Sequence, residues 1–194
     1  MVANISKKHT ESELVLQCKN RDRKGQKELY EEQAPFMLAV CRRYISDNDL
    51  AEEQMLKGFM KVFEKIDQFK SEGSFQGWMK RIMVTTCLEW IRKNKQMYRE
   101  VDLDSISHPL DLVSMEEHLE AEDLMKLVYQ LPQGYRTIFN LYAIEGYNHN
   151  EIAKSLSISV NTSKSQLSRA RKLLQKMLSE TEKYFKSNQK DNGS

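Results

Sequence analysis

Apolar residues recur every three or four positions through much of the chain, which is the spacing of amphipathic helices. The clearest case is a helix predicted over 50–69. Its apolar stripe consists of Met55, Phe59, Val62, Phe63 and Ile66. A stripe of this kind on an otherwise polar segment predicts that one face of the helix packs into a core.

The rest of the first half follows the same rule. Thr10 and Glu13 have the spacing of a capping box at the start of a first helix. A second helix is predicted over 26–44, where Pro35 should kink or divide it. After a loop, a long helix is predicted over 75–95. The first half should therefore form a small helical domain.

The second half begins a new helical unit at Leu131-Pro132, because proline suits the first turn of a helix. This helix is predicted to stop at Gly146, a suitable C-cap. A short helix over 150–156, capped by Asn148 and Glu151, precedes a turn and a longer basic helix over 161–179. A short helix, a tight turn and a longer helix predict a helix-turn-helix.

Composition agrees with an all-α fold, since the 194 residues include only 7 Gly and 3 Pro. Net charge is only +2, yet 79–99 is basic, 100–123 is acidic and 161–176 is basic again. We therefore predict two small helical domains joined by an acidic linker. The predicted limits are 10–97 for the first domain, 98–122 for the linker, 123–180 for the second domain and 181–194 for a disordered tail.

Several classes of function are disfavoured. No apolar run is long enough to span a bilayer and the N-terminus lacks the apolar centre of a signal peptide, so a cytoplasmic protein is expected. Cys18, Cys41 and Cys87 form no CxxC motif and are scattered among apolar neighbours. The histidines lack metal-ligand spacing, and there is no phosphate loop or nucleophile elbow. We expect no metal, no cofactor, no small-molecule substrate and no enzymatic activity.

The last helix carries the strongest candidate DNA-binding face. If Leu167, Ala170, Leu174 and Met177 are buried, the polar positions turn toward solvent. The candidate contacts are Asn161, Thr162, Ser163, Lys164, Ser165, Gln166, Ser168, Arg169 and Lys172. Such residues supply donors for phosphates and side chains short enough to approach base edges in the major groove. The competing interpretation is an ordinary solvated basic helix.

The helix over 75–95 carries a second polar stripe, which continues to Arg99 and follows a loop rich in serine. The candidate residues are Ser71, Ser74, Phe75, Trp78, Arg81, Thr85, Glu89 and Arg92. Cations that follow a phosphate backbone, next to an aromatic or a loop pocket that receives an unstacked base, are typical of a single-strand site. Phe75 and Trp78 fit a structural role in the core equally well.

These segments closely resemble extracytoplasmic-function sigma factors over most of the chain. Residues 131–139, 145–147, 151–153 and 161–171 are similar to sigma region four, and 51–53, 58–63, 75–79, Arg81-Ile82 and Arg92-Lys93 look like region two. Both motif sets occur in the family's order and spacing.

The resemblance implies a non-enzymatic initiation factor with several partners. Region two would dock on the clamp helices of core RNA polymerase, then open and hold the minus-10 element. Region four would read the minus-35 element of promoter DNA and touch the polymerase flap, and the linker would enter the RNA exit channel. The residues expected at the polymerase are Asp49, Glu52, Glu53, Leu56, Lys57 and Met60. Many relatives are also held by an anti-sigma factor.

Four positions depart from the family pattern. Leu56 and Lys57 stand where glutamine and an acid are common, which bears on polymerase docking, and Thr85 stands where asparagine is usual. Ser157 replaces a turn glycine, at a cost of about 1 kcal/mol if the position needs a positive φ. The main alternative is a free-standing helix-turn-helix regulator that binds duplex DNA without polymerase.

Overall fold

The computed structural model describes residues 9–94 and 121–191, with side chains over 9–94 and 123–181. Its regular elements are all helical, which confirms the all-α fold class. The chain forms two compact units, Met1–Cys87 and Leu88–Ser194. Linker positions 98–120 lie outside the described residues, as do Lys95 to Arg99 of the predicted basic stripe. None of the described helices has the length and hydropathy of a membrane span.

The first unit opens with two capped helices. Helix α1 (Glu11–Lys19) has the predicted capping box, in which Glu13 Oε2 accepts the Thr10 backbone N–H at 2.8 Å. That hydrogen bond, followed by one from the Thr10 side chain, lowers the pKa of Glu13. Helix α2 (Arg23–Arg42) runs unbroken through Pro35. The predicted division of this helix is wrong, because buried Met37, Val40 and Cys41 anchor it beyond an exposed proline.

Helix α3 and the part of α4 up to Cys87 complete the first unit. Helix α3 (Asn48–Lys65) begins two residues before the predicted start, because the Asp47 side chain accepts the Leu50 N–H at 2.9 Å and so caps it. It ends in a 3-10 turn over Ile66–Gln68, and α4 follows as Phe75–Lys93. The predicted stripe of α3 is buried at Met55, Phe59, Val62 and Ile66, as expected.

Two close contacts fix α4 in the core of the first unit. A Cβ placed on Gly58 would clash with the end of the Met83 side chain, so the thioether of α4 packs directly against the α3 backbone at this glycine. The Cys41 and Cys87 thiols are hydrogen-bonded between α2 and α4, and this contact, with burial, raises the pKa of Cys87. All three cysteines are free and buried. They behave here as small apolar residues.

The second unit contains the remaining helices: α5 (Ala121–Gln130), α6 (Gln133–Phe139), α7 (His149–Leu156) and α8 (Val160–Asp191). Pro132 is the N-cap of α6 rather than its first residue. A π-helical segment, Asn140–Ile144, continues α6 and ends two residues before Gly146, whose φ of +77° supports the predicted stop. The core is formed by Leu127, Val128, Leu131, Tyr135, Ala170, Leu173, Leu174 and Met177.

Helix α8 is longer than predicted. The sequence predicts an end near Ser179 and a disordered tail over 181–194, whereas the helix continues to Asp191. Thr181 is fully buried and donates its hydroxyl to the Met177 carbonyl at 2.9 Å, so the helix still packs beyond the predicted end. No glycine or proline interrupts the segment before Gly193, which removes the usual stop signals.

Candidate nucleic-acid interface

The turn between α7 and α8 sets the direction in which α8 leaves. Asn148 caps α7 and forms the predicted box with Glu151. Ser157 adopts the left-handed conformation, with φ 54° and ψ 49°, so the position that would favour glycine does require a positive φ. Ser159 then accepts the Thr162 N–H at 2.9 Å, and α8 begins at Val160, one residue before the predicted start.

The first three turns of α8 display most of the predicted DNA-binding residues. Asn161, Lys164, Ser165, Ser168 and Lys172 are exposed, whereas Thr162, Gln166 and Arg169 are half-buried. The Thr162 hydroxyl is 2.8 Å from Ser159 Oγ, and Ser165 donates to the Thr162 carbonyl at 3.1 Å, so both take part in local capping. The exposed remainder is polar and basic, which suits phosphates and base edges.

Ser163 is the exception, and its predicted exposure is wrong. Its exposed fraction is 0%, and its Oγ lies 2.9 Å from Nδ1 of His149. Ser163 precedes the buried Leu167 by four residues and the buried Ala170 by seven, which places all three on one helical face. The helical spacing alone therefore predicts that Ser163 is buried, whereas the polarity of serine predicts that it is exposed.

Three residues that the sequence did not single out surround this contact. The His149 ring stacks on Tyr142, with centroids 4.9 Å apart and planes 28° from parallel. The Arg171 guanidinium lies 5.5 Å from the centroid of the Tyr142 ring, within cation–π range. Side chains from the π-helical segment, α7 and α8 thus form one continuous cluster. No sequence motif indicated it, since it joins residues from three elements.

In the first unit, Phe75 is only 1% exposed and packs against Phe69 at 5.0 Å and against Trp78 at 5.7 Å. It therefore belongs to the core, and its assignment as a base-receiving aromatic is wrong. Trp78 is half-buried, with its ring against both phenylalanines. Trp78 is accordingly the aromatic of this pair that retains a surface toward solvent.

The loop before α4 is held at both ends. Lys19 donates to the Phe69 carbonyl at 3.0 Å, and Ser74 Oγ accepts the Gly77 N–H at 3.1 Å. Between these points Ser71 is exposed and has a φ of 59°. A loop tethered at both ends presents its central residues to solvent in a defined position.

The polar stripe of α4 lies on its surface as far as it is described. Arg81, Thr85 and Arg92 are exposed, and Glu89 is half-buried. The Thr85 hydroxyl donates to the Arg81 carbonyl at 2.8 Å, so its proton is engaged within the helix. The two arginines remain at the surface and can follow a phosphate backbone.

All six residues predicted at the polymerase are exposed along one stripe of α3. Leu56 and Met60 are 45% and 63% exposed, and their spacing of four residues makes them neighbours. Lys57 Nζ forms an ion pair with Glu53 Oε1 at 2.7 Å. Leu56, which departs from the family pattern, forms an apolar ridge with Met60. Lys57, which also departs from it, forms an ion pair with Glu53 beside this ridge.

A short capped helix, a left-handed turn and an exposed basic helix define a helix-turn-helix DNA-binding protein, here accompanied by a second helical unit. Comparison with known families narrows this class. The family models for Sigma-70 region 2 and for Sigma-70, region 4 match residues 29–97 and 121–174, together more than half of the chain. The chain belongs to the sigma-70 family, in its extracytoplasmic-function group, and is a promoter-recognising RNA polymerase sigma factor.

Similar proteins carry the same description. The ECF RNA polymerase sigma-E factor of Haemophilus influenzae is 24% identical over 86% of this chain and 94% of its own length. The ECF RNA polymerase sigma factor SigW of Bacillus subtilis is 27% identical over 72% of this chain and 81% of its own. A solved structure of the sigma factor RpoE with the anti-sigma factor NepR from Bartonella quintana matches with a TM-score of 0.45 and 24% identity, covering 79% of this chain and 96% of that one.

Proposed function

We propose that this sigma factor divides promoter recognition among three surfaces. The exposed face of α8 reads the minus-35 element, the loop before α4 and the stripe of α4 open and hold the minus-10 element, and the exposed stripe of α3 docks on the clamp helices of core polymerase. The observation that carries the proposal is the exposed polar and basic start of α8 directly after a fixed turn. The protein itself catalyses nothing in this scheme.

For the minus-35 element, the length of each exposed side chain decides whether it can reach base edges or phosphates. Asn161, Ser165 and Ser168 have short side chains near the start of α8, where a recognition helix comes closest to base edges. Lys164 and Lys172 are eight residues apart, about 12 Å along the helix, and reach farther toward phosphates. Ser163 has no part in direct contact, because it is buried. Gln166 and Arg169 are half-exposed and complete this face.

For the minus-10 element, Trp78 supplies the partly exposed aromatic ring on which an unstacked base can rest. Ser71 and Ser74 lie in the tethered loop that precedes it. Arg81 and Arg92 neutralise the backbone of the displaced strand, while Thr85 and Glu89 lie between them. Because Phe75 fixes Trp78 from behind, it contributes to the position of the aromatic rather than to the contact.

The polymerase surface combines exposed acids with the apolar ridge of Leu56 and Met60. Asp49 and Glu52 add negative charge, and Glu53 is already paired with Lys57. Burial of apolar area drives association without strong dependence on salt, so this ridge would compensate for the lost glutamine and acid. Contacts with the flap, passage of the linker through the RNA exit channel and an anti-sigma partner remain expectations of the family resemblance.

The proposal is tested by transcription of genomic fragments in vitro with sigma-free core polymerase from the same organism. Discrete new start sites that appear only with this protein are expected, and alignment of those promoters would give the two elements. A free-standing regulator would instead bind duplex DNA without polymerase, give no new transcripts and form no complex with core on a sizing column. That combination would overturn the proposal.

A further inference from the structure

The most buried residue in the first turns of α8 makes a polar contact with α7. Within 160–166, Ser163 is the only fully buried residue, and its hydroxyl faces Nδ1 of His149 at 2.9 Å. The next fully buried residue of α8 is Leu167, one turn further along. The most deeply buried contact at the DNA-facing end of the recognition helix is therefore a directional hydrogen bond to α7.

The imidazole that makes this bond is itself held in place. It stacks on Tyr142, and Tyr142 in turn lies under the Arg171 guanidinium, two helical turns along α8 from Ser163. The ring of His149 is thus oriented from one side and hydrogen-bonded on the other. A hydrogen bond is far more sensitive to angle than apolar contact is, so it can set the rotation of α8 about its own axis.

Small rotations matter at this position. Side-chain tips lie roughly 5–6 Å from the helix axis, so a rotation of about 10° moves them by about 1 Å. Thr162 and Lys164 flank Ser163 directly and would move with it. Base readout requires hydrogen-bond distances correct to a few tenths of an ångström, whereas contacts to phosphates by long side chains adapt.

We infer that His149 is a positioning residue for promoter reading: its hydrogen bond to buried Ser163 fixes the rotational setting of α8 and thereby the discrimination of the minus-35 sequence. The inference rests on the proposed role of α8. It assigns His149 no contact with DNA. Ser163 does not contact DNA in this proposal, but its hydroxyl positions the helix that does.

The chain offers matched variants. His149→Phe keeps an aromatic ring on Tyr142 but removes the ring nitrogen that meets the Ser163 hydroxyl, so the hydrogen bond that joins α8 to α7 is lost. Ser163→Ala removes the other partner and leaves the half-buried His149 accessible to water. His149→Asn retains a polar atom near the place of Nδ1 and serves as the conservative rescue.

The experiment measures binding of holoenzyme, reconstituted with each full-length variant, to promoters with an intact or a scrambled minus-35 element. The ratio of the two affinities is the readout. We expect His149→Phe to lower this ratio about tenfold, the effect of losing roughly one hydrogen bond. Ser163→Ala should lower it less, the double variant should be no worse than His149→Phe, and His149→Asn should restore most of it.

Two results would overturn the inference: an unchanged ratio in both single variants, or an equal loss of affinity for the two promoters. If His149→Phe proves poorly folded, Ser163→Ala, which adds no volume, carries the test alone. Failure of the wild-type holoenzyme to distinguish the two promoters would instead overturn the proposed reading of the minus-35 element by α8. The two failures are therefore distinguishable.

Discussion

The apolar ridge on α3 gives the most direct test of polymerase docking. Replacing both Leu56 and Met60 with alanine removes the ridge and leaves the neighbouring acids in place. Because both side chains are largely exposed in the free protein, their loss should change its stability little, by about 0.5 kcal/mol or less. Any loss of affinity for core polymerase then reports on the interface itself.

The size of the effect follows from the exposed fractions. Burying a whole leucine or methionine side chain is worth about 1.5–3 kcal/mol. With 45% of Leu56 and 63% of Met60 still exposed, complete burial at an interface would contribute about 2 kcal/mol from the two together. The double variant should therefore bind core polymerase roughly thirtyfold more weakly.

The assay is equilibrium binding of labelled sigma factor to core polymerase, measured at low and at moderate salt. Leu16→Ala is the matched control, since Leu16 is 59% exposed but lies on α1, outside the predicted surface. An apolar contact predicts a loss that changes little with salt. Unchanged affinity in the double variant, or an equal loss with Leu16→Ala, would refute the assignment of this face.

Four further predictions concern the other surfaces and the core. Lys164→Ala should weaken promoter binding and reduce the slope of log affinity against log salt by about 1, whereas Lys27→Ala in the first unit should not; an unchanged slope would contradict the phosphate contact. Arg92→Ala should reduce permanganate reactivity of the melted strand more than it reduces polymerase binding, and unchanged footprints would exclude a role in strand opening. Ser157→Gly should stabilise the second unit by roughly 1 kcal/mol, seen as a melting temperature about 4 °C higher, because glycine adopts the left-handed conformation without strain; an unchanged or lower value would show that the serine side chain offsets the strain. Burial, and secondarily the charge of Asp22, raises the pKa of Cys18 to about 11, so only about one thiol in a thousand is ionised at pH 8, and thiol reagents should label the native protein far more slowly than the unfolded chain; fast native labelling at pH 8 would contradict this.

Local signals predicted local structure well. The capping boxes at Thr10 and Asn148 and the stop at Gly146 each depend on a few neighbouring residues, and each is present in the structure. The left-handed conformation of Ser157 agrees with the expectation drawn from the turn. Such features are decided by backbone geometry within one turn of chain, which a single sequence records directly.

Features that depend on packing were harder to predict. Phe75 looked equally suited to the core or to a base until its contacts with Phe69 placed it inside. The polarity of Ser163 predicts a surface position, although its spacing of four residues from Leu167 places it on the core face. The sequence underestimates the length of α8, because the polar composition of its last turns predicts disorder although the segment contains no helix breaker.

The contact roles of α3, α4 and α8 stay predictions, since the free protein reveals only which side chains are accessible. Exposure confirms that most of the proposed residues are available, and it removes Phe75 and Ser163 from direct contact. The cluster of Tyr142, His149 and Arg171 had no sequence signal, because three elements must fold together before those side chains meet.

The packing at Gly58 affects how the proposed binding face for polymerase is spaced from the proposed binding face for the opened DNA strand. With no Cβ between them, the α3 backbone lies against Met83 of α4. The proposed polymerase face is on the outer side of α3, and the proposed strand-holding face is on α4. Since packed helices deform little, this packing keeps the distance between the two proposed faces constant. A larger residue at position 58 would first displace the end of the Met83 side chain, and any movement of α4 that followed would change where the opened strand meets the protein.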